Sequence, residues 1–470
     1  MRDHRISSEL ESVLRRFEDC FSSSSYANFV SLAIGWMMSV GRRTISRVVM
    51  ASGSLERCHF STLYRFLSRA IWEPDALSKK LVLLLVEMID SKEIEISVDD
   101  TLCHRTGARF FGAGMHHDGA SSSRGGINGP SPCFAFGHNW VVMAIKLPLP
   151  WGERRAIAIP VLFRLYRSKK LCPEEKYSKR TELAREMLEL MRATVPRQKR
   201  LILAGDSEYA CQTLLKDLPS GIDFVGPIHK RAALHGPVKK YRGKGRPRKK
   251  GAREASPEER FGRKGGKWKR AKVWIYGRTV TLEFKVFTTH WTKALGDRPI
   301  KLILTRDPSG RLADRAYFTT DLRASVRTTL ERMAGRWLIE VSFRDLKQLF
   351  GMGDAQNGWG RGIGPREKTP GADPLGTKGE HAIRRTAPLA GFVYAIVVIT
   401  YIKMDRADSD VAEARKAAPW HTSKSTPSVV NMLAALRRDL LARRLSPHPE
   451  DRSARAKILR LLPWDLMAAA

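Results

Sequence analysis

The chain is poor in cysteine and poor in acid. Its 470 residues hold six cysteines, Cys20, Cys58, Cys103, Cys133, Cys172 and Cys211, scattered with no Cys-x-x-Cys pair. That scatter argues against structural zinc and fits a reducing cytoplasm. Acids number 48 against 83 Lys and Arg, leaving a formal charge of +35 and a sequence pI near 10.3. Such an imbalance predicts a polyanionic partner, because Lys and Arg displace the counterions condensed on nucleic acid. Long apolar runs are missing as well. The longest, Leu389 to Ile402, is too short to cross a bilayer and predicts a buried helix, so no membrane span is expected. The opening MRDHRISSELES carries no apolar segment and predicts no signal peptide, hence a cytoplasmic, nucleoid-associated protein.

The length allows two to four domains. Residues 1–92 read as a helical DNA-binding domain, with Leu10, Val13, Leu14 and Phe17 at helical spacing. Within it, residues 45–70 hold two short amphipathic pieces around Gly53 with Arg57, Arg65 and Arg69, which fit a helix-turn-helix or a plain helical hairpin equally.

From residue 94 the period changes to alternation: Ile94, Ile96 and Val98 interleave with Glu95, Ser97 and Asp99. This predicts a strand ending in acid. Apolar runs at 140–147 and 156–165 predict two more strands, and 181–192 predicts a helix with Leu183, Met187, Leu190 and Met191 on one face. LILAG then delivers Asp206 at the C-terminal end of a buried strand, where α/β proteins place their ligands. A helix (210–217) and a strand (223–228) follow, and His116, His117 and Asp118 read as loop residues.

Residues 229–322 form a basic, β-rich insertion. Between 229 and 272 eighteen Lys and Arg face only Glu254, Glu258 and Glu259. A hairpin about Gly277 and Arg278 and strands at 300–305 and 316–320 are expected. One long helix should span 325–350, within a segment 323–405, and residues 406–470 should form a helical, basic C-terminal region.

Three strands, helix, strand, helix, strand and a later acid-bearing helix is the order of a ribonuclease H-like α/β core, assigned to residues 93–228 and 323–405. Such a core would gather Asp100, Asp206 and Glu340. Phosphodiester cleavage places negative charge on attacking and leaving oxygens, which two Mg²⁺ ions, or Mn²⁺ in their place, stabilise through carboxylate ligands. Asp99 and Asp100 point to opposite faces, so only one can serve; Asp99 is the alternative, and Glu208 reads as a helix-start acid. At about 100° per residue Arg336, Glu340, Phe343 and Lys347 share one helical stripe, an acid bracketed by two cations that can clamp phosphate.

At these residues the sequence resembles the DDE transposases of bacterial insertion sequences, in the branch with a β-rich insertion. That branch carries Tyr, two residues, Arg, three residues, Glu, six residues and Lys; Arg336, Glu340 and Lys347 match in RMAGRWLIEVSFRDLK, and Met333 stands at the tyrosine position. VDDT (98–101) resembles the family's first-acid strand, AGDSEYA (204–210) its second-acid strand, and FGHNWVV (136–142) the second strand of its sheet. The resemblance selects Asp100, the acid immediately before the threonine. It implies metal-dependent cleavage of double-stranded DNA at terminal inverted repeats, then joining of the freed 3′-hydroxyl to target DNA, by a homodimer. A nuclease without strand transfer and a catalytically dead DNA-binding descendant are the competing readings.

For DNA contact, Gly245, Arg246, Pro247 and Arg248, followed by Lys249 and Lys250, resemble a minor-groove AT-hook core or form an unstructured phosphate-gripping loop. The resemblance also implies an aromatic from the insertion that stacks on a flipped base. Trp268, Trp274 and Trp291 are the candidates, with Trp291 put forward.

Overall fold

The computed structural model describes residues 6–106, 110–122, 133–238, 250–263, 267–355 and 375–445. Five helices come first: α1 (Ser8–Arg15), α2 (Ser23–Met38), α3 (Ile45–Ser52), α4 (Ser61–Ser68) and α5 (Pro74–Glu87). Side chains of Ser7, Ser22 and Thr44 cap the first three by accepting from the N–H groups of Leu10, Ser25 and Arg47. Gly53 ends α3 in the left-handed region at φ 72°.

The core follows as β1 (Glu93–His104), β2 (Gly114–His117), α6 (Gly119–Ser122), β3 (Phe134–Pro148), β4 (Ala156–Tyr166), α7 (Arg180–Thr194), β5 (Arg200–Ala204), α8 (Gln212–Leu215) and β6 (Ile222–Pro227). β1, β3 and β4 pair antiparallel, whereas β5 runs parallel to β1 and β6 parallel to β5. The core order β4-β3-β1-β5-β6 is that of the expected ribonuclease H-like sheet. His116 and His117, read as loop, lie in β2, a short strand on the β3 edge.

The insertion supplies β7 (Leu234–His235), β8 (Arg253–Glu254), α9 (Pro257–Gly262), β9 (Lys269–Ile275), β10 (Arg278–His290), α10 (Thr292–Leu295), β11 (Pro299–Arg306) and β12 (Arg315–Thr319). Its strands do not form a separate layer. β12 pairs antiparallel with β6 and continues the core sheet through β11 and β10, giving twelve strands among the described residues. The β9–β10 hairpin turns on Tyr276 and Gly277, one residue earlier than expected, at φ 49° and 80°. Two successive positive φ values are what a tight two-residue hairpin needs, and glycine supplies the second without strain.

The helix expected over 325–350 is two: α11 (Val326–Gly335) and α12 (Trp337–Gln348). At the break, Arg336 N–H donates to Met333 O and Ile339 N–H to Arg336 O, i to i−3 bonds that tighten the turn. After α12 come α13 (Thr377–Met404), α14 (Ala407–Ala417) and α15 (Val429–Leu445). α13 is 28 residues long and, by length and composition alone, could cross a membrane; 83% of its apolar window is buried inside the fold. Gly391 lets it lie against β4: a Cβ there would stand 2.4 Å from the Phe163 ring. Leu10, Phe29, Ile96, Val142 and Phe392 belong to one continuous apolar cluster. The helical ends therefore share the core of the sheet. Trp36 of α2 donates to Phe350 O at 2.7 Å, tying the N-terminal helices to the end of α12.

Candidate active site

The site grows from the alternation of β1. Glu93, Glu95, Ser97 and Asp99 fall on one face and Ile94, Ile96, Val98 and Asp100 on the other. The parallel register with β5 ends at Ser97 opposite Ala204. Two residues further on, the strands offer Asp99 and Asp206. Asp206 is fixed by its own turn, its Oδ1 accepting from the N–H groups of Glu208 (2.8 Å) and Tyr209 (3.3 Å).

Helices α11 and α12 cross the Asp99 face. Met333 packs on Ile202, Ala204 and Val225, an apolar patch that explains a thioether where the resembling family has tyrosine. Ion pairs line the same seam: Arg332 with Glu93, Lys146 with Glu95 at 2.7 Å, and Arg336 with Asp99 at 2.5 Å. The second arm of Arg336 reaches Glu340 Oε1 at 2.6 Å. Burial pushes the Asp99 carboxyl up to about 7, against the pull of Arg336 and with a further push from the Asp206 charge. Lys347 lies exposed two turns on, close enough to the Cys103 thiol to oppose the rise that burial gives it.

Asp100, expected at this site, faces the other way. Its Oδ2 accepts from Asn139 Nδ2 (2.8 Å) and Arg180 Nη1 (3.1 Å), and Arg180 also pairs with Glu208 at 2.8 Å. Strand geometry separates the two acids: adjacent residues cannot share a face, and the β5 register, continued two residues past Ser97–Ala204, runs Asp206 alongside Asp99.

Among the described residues no three acidic, His or Cys side chains converge closely enough to hold one ion. The donor chemistry nevertheless fits a divalent cation. Asp99 and Glu340 offer hard carboxylate oxygens, Asp206 adds a third across the strand pair, and a guanidinium already supplies positive charge between the first two.

The family model for the DDE superfamily endonucleases matches residues 16–289, more than half of the chain. The chain belongs to the DDE superfamily endonucleases. The matched stretch contains Asp99, Asp100 and Asp206 and stops before Glu340. Endonucleases of this superfamily use divalent metal ions. Among solved structures, a piggyBac transposase synaptic complex with hairpin DNA aligns over 97% of this chain and 81% of that one, at 10% identity and a TM-score of 0.36. No curated protein matches the sequence.

The insertion tryptophans of this endonuclease are packed. Trp291 meets Phe318 edge-on at 5.4 Å, Trp268 stacks near Phe261 under Arg306 and Lys285, and Trp274 lies under Arg154. The aromatic rings exposed beside Arg336 are Trp337 (48% exposed) and Tyr276 (64%), 5.8 Å apart. They border a cavity of about 220 Å³ that Arg306, Arg315 and Arg336 also line. Sequence periodicity could not show this, because Tyr276 and Trp337 come from separate elements. Lys250 is exposed; Arg246, Arg248 and Lys249 lie outside the described residues.

The Asn139–Asp100–Arg180–Glu208 chain was also invisible from spacing alone. Its one sequence signal is a buried polar Asn139 inside the apolar strand FGHNWVV.

Proposed function

We propose that this endonuclease is a transposase of the insertion-sequence type, with Asp99, Asp206 and Glu340 as its catalytic carboxylates. The observation that carries the reading is Arg336, which joins Asp99, midway along β1, to Glu340, while Asp206 follows β5, the strand parallel to β1. Mg²⁺ or Mn²⁺ held by these three acids would neutralise the charge that develops at the attacked phosphodiester. Arg336 and Lys347 bracket the acid along α12 and grip the phosphates on either side of the scissile bond.

The substrate of the first step is double-stranded DNA at the element's terminal inverted repeats, where water attack frees a 3′-hydroxyl. That hydroxyl then attacks target DNA, and two copies of the chain hold the paired ends. The net charge of +35 supports the polyanionic substrate.

The test is to incubate the protein with Mg²⁺, a duplex bearing the inverted repeats that flank its gene, and a target plasmid. Freed 3′ ends and joined products are the expected result. Cleavage without joining would make the protein a nuclease of the same fold, and binding alone would make it a DNA-binding descendant.

A further inference from the structure

We infer that Arg336 is the built-in competitor of the metal: it occupies the seat between Asp99 and Glu340 until a divalent cation displaces it, and the released guanidinium then turns to DNA phosphate. This rests on the assignment of Asp99 and Glu340 as metal-holding acids.

The geometry sets the guanidinium and a bridging cation in competition for one seat. Nη1 of Arg336 is engaged by Asp99 Oδ2 at 2.5 Å and Nη2 by Glu340 Oε1 at 2.6 Å. Nη1 and Nη2 are both engaged by carboxylates, so a phosphate could take both of them only by replacing those partners. An oxygen that accepts from a guanidinium can still ligate a cation, but a cation bridging these two oxygens would have to fill the space the guanidinium holds. The side chains are 16%, 15% and 32% exposed, so solvent screens the bridge only partly.

The backbone gives Arg336 a second place to go. It stands at the tightened turn between α11 and α12, after Gly335 and before the exposed Trp337. It also lines the cavity of about 220 Å³ bordered by Tyr276 and Trp337, whose lining includes no residue of β1. Arg315 and Arg306, the latter paired with Glu283, line that cavity beside Asp307, so a DNA phosphate entering it would meet more positive than negative side chains. Metal loading and phosphate grip thereby become one exchange.

The experiment measures Mn²⁺ affinity by electron paramagnetic resonance on the full chain without DNA. The variants are Arg336→Met, Arg336→Lys, Asp99→Asn and Arg344→Ala, an exposed cation on the same helix. Arg336→Met is expected to bind Mn²⁺ at least tenfold more tightly than the unaltered chain, and Arg336→Lys severalfold more tightly, since its ammonium cannot span both acids. Arg344→Ala, which removes the same charge nearby, should shift affinity less than twofold. Unchanged or weaker binding in Arg336→Met, with Asp99→Asn still abolishing it, overturns the inference and leaves the carboxylate assignment standing. A shift in Arg344→Ala equal to that in Arg336→Met also overturns it, because net charge alone would then account for the gain. Mn²⁺ binding that survives Asp99→Asn overturns the assignment itself.

Discussion

Asp99 and Asp100 are neighbours in sequence and occupy opposite faces of β1, one paired with Arg336 and the other with Arg180. The two carboxylates therefore do different work. Asp99→Asn is expected to lower cleavage at least a thousandfold and to abolish Mn²⁺ binding. Asp100→Asn keeps its hydrogen bond from Asn139 within reach but loses the charge that holds Arg180, so it should lower cleavage about ten- to a hundredfold and leave Mn²⁺ binding within threefold of normal. Single-turnover cleavage and Mn²⁺ titration on both variants decide the matter; the reverse ranking would restore Asp100 to the metal site.

The aromatic that meets DNA should be Trp337 and not Trp291. Trp337 is 48% exposed beside Arg336, whereas Trp291 is packed edge-on against Phe318. Trp337→Ala should weaken binding to a terminal-repeat duplex about tenfold, in line with about 1–3 kcal/mol for a stacked base, with the melting temperature unchanged. Trp291→Ala, which strips a half-buried ring from its contact with Phe318, should instead destabilise the fold. Equal loss of DNA affinity in the two variants at matched folded fraction would contradict this.

Much of the core was legible because each element carried its own period. The alternation of Ile94, Ile96 and Val98, the run LILAG before Asp206 and the stripe on α12 all depend on local geometry. What stayed hidden depended on partners distant in sequence. Which of Asp99 and Asp100 faces Arg336 and Glu340 needed the fold around β1, and a motif position before a threonine could not supply it. The break at Gly335 was hidden because the helical pattern runs straight through it. The continuation of the core sheet into the insertion rests on β6 meeting β12 across some ninety residues of chain.

Gly391 is a packing residue with a measurable cost of replacement. Its missing Cβ is the space in which the Phe163 ring lies, so Gly391→Ala must push β4 and α13 apart. Overpacking of this kind costs about 1–3 kcal/mol. The gain in helix propensity from Gly to Ala, about 1 kcal/mol, offsets only part of that. Chemical denaturation should show net destabilisation with an unchanged m-value; a more stable variant would mean that the helix and strand can separate freely.

The raised Asp99 carboxyl makes a pH prediction whose sign is fixed. Its folded value is about 7, above the usual 3.8, because burial disfavours the charged form. Between about pH 4 and 7 the folded chain therefore holds a proton that the unfolded chain releases. Stability must fall as pH rises through that window, and in Asp99→Asn this part of the slope disappears. Metal binding needs the ionised carboxylate, so Mn²⁺ affinity should rise about tenfold per pH unit below 7 and level off above it. Calorimetry in two buffers of different ionisation heat should detect close to one proton released per binding event at pH 6 and nearly none at pH 8. Affinity that is flat from pH 6 to 8 would place Asp99 outside the metal site, because a carboxylate that must ionise before it can bind the cation cannot leave affinity independent of pH.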